Sequence, residues 1–262
     1  MSVRAVTSLT NPTVKAVRAL HLRKEREATG LFVAEGLKNV TEGVELGHAP
    51  TILMFGKEAA AHPLTRNAIA ATLAAGGEAL EVTQEILAKV SRRDNPQAVV
   101  GVFRQRFTPL EALKPDTADV WVALHRVRDP GNLGAIVRTA DAAGCGAVIL
   151  VGECCDPYSV EAVRATMGSI FATPIVRAGE VEFADWRKAW PGSVVGTLLT
   201  ATTDHRGADY VRPVLILMGN EQQGLPPEMA ALTDVNVKIP MRGRADSLNL
   251  SVATAIMIYA AA

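Results

Sequence analysis

The sequence predicts an α/β protein in two parts: a small α/β unit over residues 1–108 and an open parallel sheet with helices on both faces over residues 119–262. Three observations predict it. Short apolar runs alternate with segments whose apolar residues recur at spacings of three and four, the mark of strands followed by helices. In the second part the apolar runs are continuous, as in strands covered on both faces of a parallel sheet. Between the parts, residues 109–118 hold Pro109, Pro115 and several charges, the composition of a linker.

The elements follow in chain order. Ser8 to Pro12 is a turn and helix cap leading into Val14 to Leu20, where bases separate the apolar positions. Leu31 to Ala34 is a short strand, and Gly36 to Leu46 a helix with Leu37, Val40 and Val44 on one side. A strand over Thr51 to Phe55 precedes a helix over Leu64 to Ala75. Glu81 to Thr83, Glu85 to Val90 and Ala98 to Phe107 complete the first part as strand, helix and strand. Beyond the linker, strands are expected near Val120 to Leu124, Ala147 to Val151, Val194 to Leu199, Val214 to Met218 and Val235 to Ile239. Helices are expected near Leu133 to Ala143, Val160 to Phe171, Val181 to Ala189, Pro226 to Leu232 and Leu248 to Ala261.

Composition excludes several classes. The chain has 262 residues, 48% of them hydrophobic, enough to bury a core without disulfides or metal clips. Its three cysteines, Cys145, Cys154 and Cys155, form neither a disulfide framework nor a metal pattern, and point to a reducing compartment. The five histidines show no ligand spacing, so no metal is expected. No apolar run is long enough for a membrane helix, which leads to the expectation of a cytoplasmic protein. Formal charge is zero but unevenly spread: residues 1–108 carry 14 Lys/Arg against 10 Asp/Glu, the remainder 13 against 17. Arg18, Arg23, Lys24 and Arg26 belong to a basic N-terminal segment that either meets a polyanion or forms a solvated helix face.

In open parallel sheets ligands gather at the carboxyl ends of the strands, so the loops there carry the chemistry. Three are distinctive. Asp129-Pro130-Gly131-Asn132-Leu133-Gly134 opens a helix bearing Arg138 six residues after Asn132. That spacing puts the two on different azimuths; they share a site only if the arginine bends back, and otherwise Asn132 is a plain cap and Arg138 a surface base. Gly219 to Pro226 follows a strand, with glycines that let backbone approach a ligand. The third, from Ile239 through Pro240, Gly243, Ser247 and Asn249, leads into an apolar helix at the carboxyl end, a terminus well furnished with polar groups. No G-x-G-x-x-G is present, which argues against a dinucleotide-dependent oxidoreductase.

Taken together, N-x-x-x-x-x-R-T-A (Asn132 to Ala140), G-N-E-x-x-G-L (Gly219 to Leu225) and I-P-M-x-G-x-x-x-S-L-N-x-S-V-A (Ile239 to Ala253) resemble the SpoU (TrmH-type) RNA 2′-O-methyltransferases of the SPOUT superfamily. Val6 to Pro12 and Gly30 to Gly36 resemble the ribosomal-protein-like, RNA-binding domain that precedes many members. The resemblance implies a deep C-terminal trefoil knot, a homodimer through the knotted domain, and S-adenosyl-L-methionine as the methyl donor to a ribose 2′-hydroxyl. It implies catalytic or site-holding roles for Arg138, Asn132, Glu221, Ser247 and Asn249, and a cofactor pocket around Leu198, Leu199, Gly219, Ile239, Met241 and Leu248. Structured RNA is the implied substrate, ribosomal RNA first and transfer RNA second, with Arg18, Arg23, Lys24 and Arg26 as its contacts. A non-catalytic RNA-binding protein keeping the fold is the rival expectation. Where members usually carry a second glycine after the glutamate, this chain has Gln222.

Overall fold

The computed structural model describes residues 2–262. The elements are β1 (Arg4–Val6), α1 (Pro12–Ala19), α2 (Arg23–Thr29), β2 (Leu31–Glu35), α3 (Leu37–Glu45), β3 (Ile52–Gly56), α4 (Pro63–Ala74), β4 (Glu78–Val82), α5 (Gln84–Ser91) and β5 (Val99–Arg104). They continue with β6 (Val120–His125), α6 (Pro130–Ala142), β7 (Val148–Val151), α7 (Val160–Thr166), β8 (Ile175–Ala178), α8 (Glu180–Arg187), β9 (Val194–Thr197), β10 (Thr203–Asp204), β11 (Val214–Met218), α9 (Pro227–Ala230), β12 (Val235–Lys238) and α10 (Leu250–Ala261). They form two compact units. One comprises the chain up to Gln105 together with Asp156–Ala172; the other comprises Arg106–Cys155 and Thr173–Ala262.

The first unit is built on a five-stranded sheet in the order β1-β4-β3-β5-β2, with β5 antiparallel to both β2 and β3. Asn11 caps α1 by accepting from the Thr13 and Val14 amides, and Pro12 occupies the first turn, where its missing amide costs nothing. Val14 and Val17 from α1 and Ile86, Leu87 and Val90 from α5 pack on Met54, Leu80, Val100 and Val102 of the sheet. Residues 156–172 belong here because their apolar groups find partners here. Tyr158 and Phe171 stack on Phe32, and Phe171 meets Phe103 edge-on. Arg164 grips the buried carboxylate of Glu35 with two nitrogens. The single helix expected over Val160 to Phe171 is broken at Met167 and Gly168, both at positive φ, and resumes as a 3-10 turn.

The second unit holds a seven-stranded, wholly parallel sheet in the order β10-β12-β9-β11-β6-β7-β8. Its central strands β6, β7 and β11 are buried along their whole length, matching their continuous apolar sequences. Trp121, Phe183 and Trp190 fill one side of this core, with Trp121 and Trp190 edge-to-face. Leu110, inside the segment expected to be a linker, is buried in the same core. The strand β8 was not anticipated: it is a four-residue edge strand whose Arg177 side chain points outward over the Phe107 ring, so its apolar signal is weak. No described helix is long and apolar enough to cross a membrane.

One expected RNA contact lies inside the first unit. Arg26 is 4% exposed; its Nε donates to Asp156 Oδ2 at 2.7 Å and its Nη1 to the Leu20 carbonyl at 2.8 Å. A guanidinium so committed serves the fold and does not present itself to a phosphate. Breaking a buried pair on one side costs about 3–5 kcal/mol, because a charge is left in low dielectric without its partner. Arg26→Ala is therefore expected to lower the denaturation midpoint markedly. A variant that keeps the wild-type midpoint and loses only RNA affinity would contradict this placement.

Candidate functional site

At the carboxyl ends of β6, β9, β11 and β12, all in the second unit, the chain leaves the sheet through loops that enclose a pocket of about 980 Å³. The β11 loop is shaped first. Gly219 leaves the strand so close to the returning chain that a Cβ there would lie 1.9 Å from the Gly224 carbonyl carbon. Only glycine fits, and the close approach lets Asn220 and Gly224 form a narrow bridge. The buried Asn220 side chain accepts from the Gln222 and Gln223 amides, closing the turn and turning Glu221 toward the β6 loop.

Glu221 is the hub. Its Oε1 accepts from the Asp129 amide and from Asn132 Nδ2, each at 3.1 Å, and its Oε2 from the Arg128 amide at 3.2 Å. Asn132 Oδ1 in turn accepts from Asn249 Nδ2 at 2.8 Å. Asn249 is the cap of α10: its Oδ1 accepts from the Ser251 and Val252 amides. The amide orientations are thus fixed from both ends. Capping needs the Asn249 oxygen inward, which leaves its NH2 for Asn132; a carboxylate can only accept, which requires the Asn132 NH2 toward Glu221. One relay therefore joins the loops after β6 and β11 to the first turn of α10.

The cap of α6 is Asp129, which accepts from the Asn132 amide at 2.6 Å, with Pro130 in the first turn. Asn132 is consequently inside the helix with its side chain released for the relay, and is not the plain cap that its sequence context also allowed. Arg138 stands further along α6, exposed, with no ion pair or hydrogen bond from its guanidinium among the described residues. The structure does not bring it to Asn132, and it is not among the residues lining the pocket. Ser247 lies in the lining and donates to Asp246 at 3.2 Å.

The six residues expected around a cofactor all line the pocket: Leu198, Leu199, Gly219, Ile239, Met241 and Leu248. Strand β9 ends at Thr197, so Leu198 and Leu199 are not strand core. Leu198 leans on the core, while Leu199 is 67% exposed, a large apolar group held in the pocket wall. Residue-by-residue reading missed Thr197, whose buried hydroxyl has no hydrogen-bond partner among the described residues and which belongs to the lining. Gln222 is also explained: its Oε1 accepts from Arg128 Nη1 at 3.2 Å, so the side chain bridges two loops. The base of the β6 loop is fixed by Glu180, which takes His125 Nε2 at 2.8 Å and Arg126 Nε at 2.7 Å. Of the remaining expected RNA contacts, Arg18, Arg23 and Lys24 are exposed in the first unit, Arg23 paired with Glu27 and Lys24 facing Glu25.

Burial raises the Glu221 pKa, but the amides around it and Asn132 outweigh that and hold the carboxyl below its ordinary range. A depressed carboxylate contributes stability that is complete above its unfolded value, ~4.3, and is lost as pH falls through the lower folded value. Protection of the Arg128 and Asp129 amides from hydrogen exchange should follow that acid window. Glu221→Ala should abolish the protection at neutral pH and lower the melting temperature by several degrees, since hydrogen bonds to a charged group contribute about 1.5–3 kcal/mol. Unchanged exchange at both amides in the variant would remove Glu221 as the hub.

Comparison with known proteins agrees with this geometry. Residues 119–259 match the SpoU rRNA Methylase family, and residues 11–101 match the MRM3-like substrate binding domain. The chain is 32% identical over 257 residues, covering 98% of both chains, to the 23S rRNA (guanosine(2553)-2′-O)-methyltransferase RlmP of Bacillus subtilis. It is 29% identical to the 23S rRNA (uridine(2479)-2′-O)-methyltransferase of Streptomyces viridochromogenes, over 91% of this chain and 85% of that one. Among solved structures it matches the AdoMet-bound rRNA methyltransferase from Sinorhizobium meliloti with a TM-score of 0.92 and 50% identity, covering 99% of this chain and 97% of that chain.

Proposed function

The chain belongs to the SpoU rRNA methylase family, and we propose that it transfers the methyl group of S-adenosyl-L-methionine to a ribose 2′-hydroxyl of ribosomal RNA. The observation that carries this reading is the Glu221–Asn132–Asn249 relay, which holds three loops around one pocket. The pocket suits the cofactor. Its volume is of the size that takes small-molecule ligands, and its lining combines apolar walls with a comparable share of polar groups. Leu198, Leu199, Ile239, Met241 and Leu248 offer apolar walls to an adenine and a methionine chain, the tight turn at Gly219 offers backbone, and the unpartnered Thr197 hydroxyl offers a polar contact. When bound, the sulfonium supplies an already activated methyl group.

The protein's remaining tasks are alignment of the attacking hydroxyl and handling of its proton. Asn132, Glu221, Ser247 and Asn249 hold the loops that set that alignment. Arg138 is the catalytic arginine in this reading. Its guanidinium is exposed and uncommitted, and arginine stays protonated in proteins, so it pairs with phosphate and stabilises the developing oxygen charge rather than acting as a base. Because Arg138 is outside the pocket lining of its own chain, the reading includes a homodimer in which a second copy completes each site. The apolar α10 exposes Val252 and Tyr259, the latter 61%, on a face suited to that contact. The reading further assigns α10 to the threaded end of a trefoil knot, substrate binding to residues 1–108 joined by a linker at 109–118 to a transferase domain at 119–262, and the cytoplasm as the compartment.

Arg138→Ala should abolish methyl transfer to ribosomal RNA while leaving S-adenosylmethionine affinity, read by calorimetry, within about twofold of wild type, because it removes an interaction made only in the transition state. Near-normal turnover in this variant would overturn the assignment. Sedimentation of the wild-type chain as a monomer at working concentration would remove the shared site.

A further inference from the structure

The first unit contains a second concavity, about 540 Å³, between α1 and α5, lined by Lys15, Arg18, Ala19, Ala88, Lys89, Arg92, Arg93 and Asp94. Five of its side chains are cations and one is an acid. Lys15 and Arg18 are three apart on one face of α1; Lys89 is in the last turn of α5, with Arg92 at its C-cap and Arg93 just beyond. All five are exposed, and none of their side chains forms an ion pair or hydrogen bond among the described residues. Several other arginines of this unit are committed: Arg4 to Glu78, Arg23 to Glu27, Arg26 to Asp156, Arg164 to Glu35. Five uncommitted cations are therefore concentrated in one cleft, where an anionic partner relieves their mutual repulsion.

Two further observations bear on that partner. Arg92 sits at the left-handed C-cap of α5, φ 54° and ψ 41°, a position that glycine occupies at lower cost. A strained arginine at the mouth of a basic cleft places its guanidinium there at the expense of the backbone. His21, between the helices and bonded to Val90 O, is held below its ordinary pKa by burial first and by Arg92 among the charges, so it adds no cation of its own. The small Ala19 and Ala88 leave the floor open enough for a sugar-phosphate chain to approach.

We propose that the α1–α5 cleft binds the sugar-phosphate backbone of structured RNA through Lys15, Arg18, Lys89, Arg92 and Arg93. The proposal rests on the RNA-methylating reading and moves the contact surface away from Arg23, Lys24 and Arg26. Phosphate contacts of this kind position RNA without reading its sequence, and they announce themselves in salt dependence.

The test is fluorescence anisotropy of the full chain with a labelled RNA stem-loop across a salt series. The triple variant Lys89→Ala/Arg92→Gly/Arg93→Ala should bind at least ~10-fold more weakly, and its salt slope should be shallower by ~2–3, about one for each phosphate contact removed. Arg92→Gly alone relieves the strained cap, so it should unfold no more easily than wild type yet still lose RNA affinity; that combination separates a binding role from a folding role. Arg23→Ala/Lys24→Ala should leave the slope nearly unchanged. A wild-type slope in the triple variant would overturn the proposal. So would undiminished RNA affinity accompanied by loss of binding to a poly-glutamate peptide, which would make the cleft a protein-docking site. Methyl transfer is read separately: binding through the cleft without transfer would leave this site and remove the function reading, whereas transfer with unchanged slopes would do the reverse.

Discussion

Glu221 carries one negative charge at the tip of a five-residue turn, and the pocket depends on where that charge is delivered. The turn can deliver it because Gly219 and Gly224 approach within a distance no side chain tolerates and because Asn220 is spent inside the turn. At its destination the carboxylate meets two backbone amides from the loop after β6 and one side-chain amide from the first turn of α6, all donors. Those donors have no other partner of comparable strength, since charge-assisted bonds exceed neutral ones. Through Asn132 the same charge fixes the rotamer of Asn249 and hence the cap of α10.

The parallel sheet makes this economy possible. Parallel pairing of β6, β9, β11 and β12 puts all their carboxyl ends on one side, so segments distant in sequence open into a shared space. The hydrophobic core beneath, from Trp121 to Leu225 and Met229, holds the strand ends rigid while the loops above remain polar. The first unit divides its charges differently. Arg26 and Arg164 pin residues 156–172 to the unit, and five unpaired cations face solvent in the cleft between α1 and α5.

Much of this was legible in the sequence because its signals are local. Continuous apolar runs located β6, β7 and β11, and the three loop motifs named Asn132, Glu221 and Asn249 before any geometry connected them. What escaped reading depended on long-range pairing. Arg26 looks like its basic neighbours until Asp156, 130 residues away, is folded against it. The cleft unites Lys15 and Arg18 with Arg92 and Arg93 only once α1 packs on α5, a grouping that no local count of bases shows. Strand β8 is short and lies at a sheet edge with an outward arginine, and the break at Met167-Gly168 was hidden by an otherwise helical spacing. The cap of α6 was left open because aspartate and asparagine compete for the same role, and here Asp129 takes it, freeing Asn132 for the relay.

Three loops form one site because Glu221 and Asn249, which do not touch, are coupled through Asn132. A double-mutant cycle on S-adenosylmethionine affinity, using Glu221→Ala, Asn249→Ala and the double variant, measures that coupling directly. The coupling energy should be at least about 1 kcal/mol, the second substitution costing less once the first has broken the relay. Strictly additive losses would show that the two loops contribute independently and would contradict this coupling.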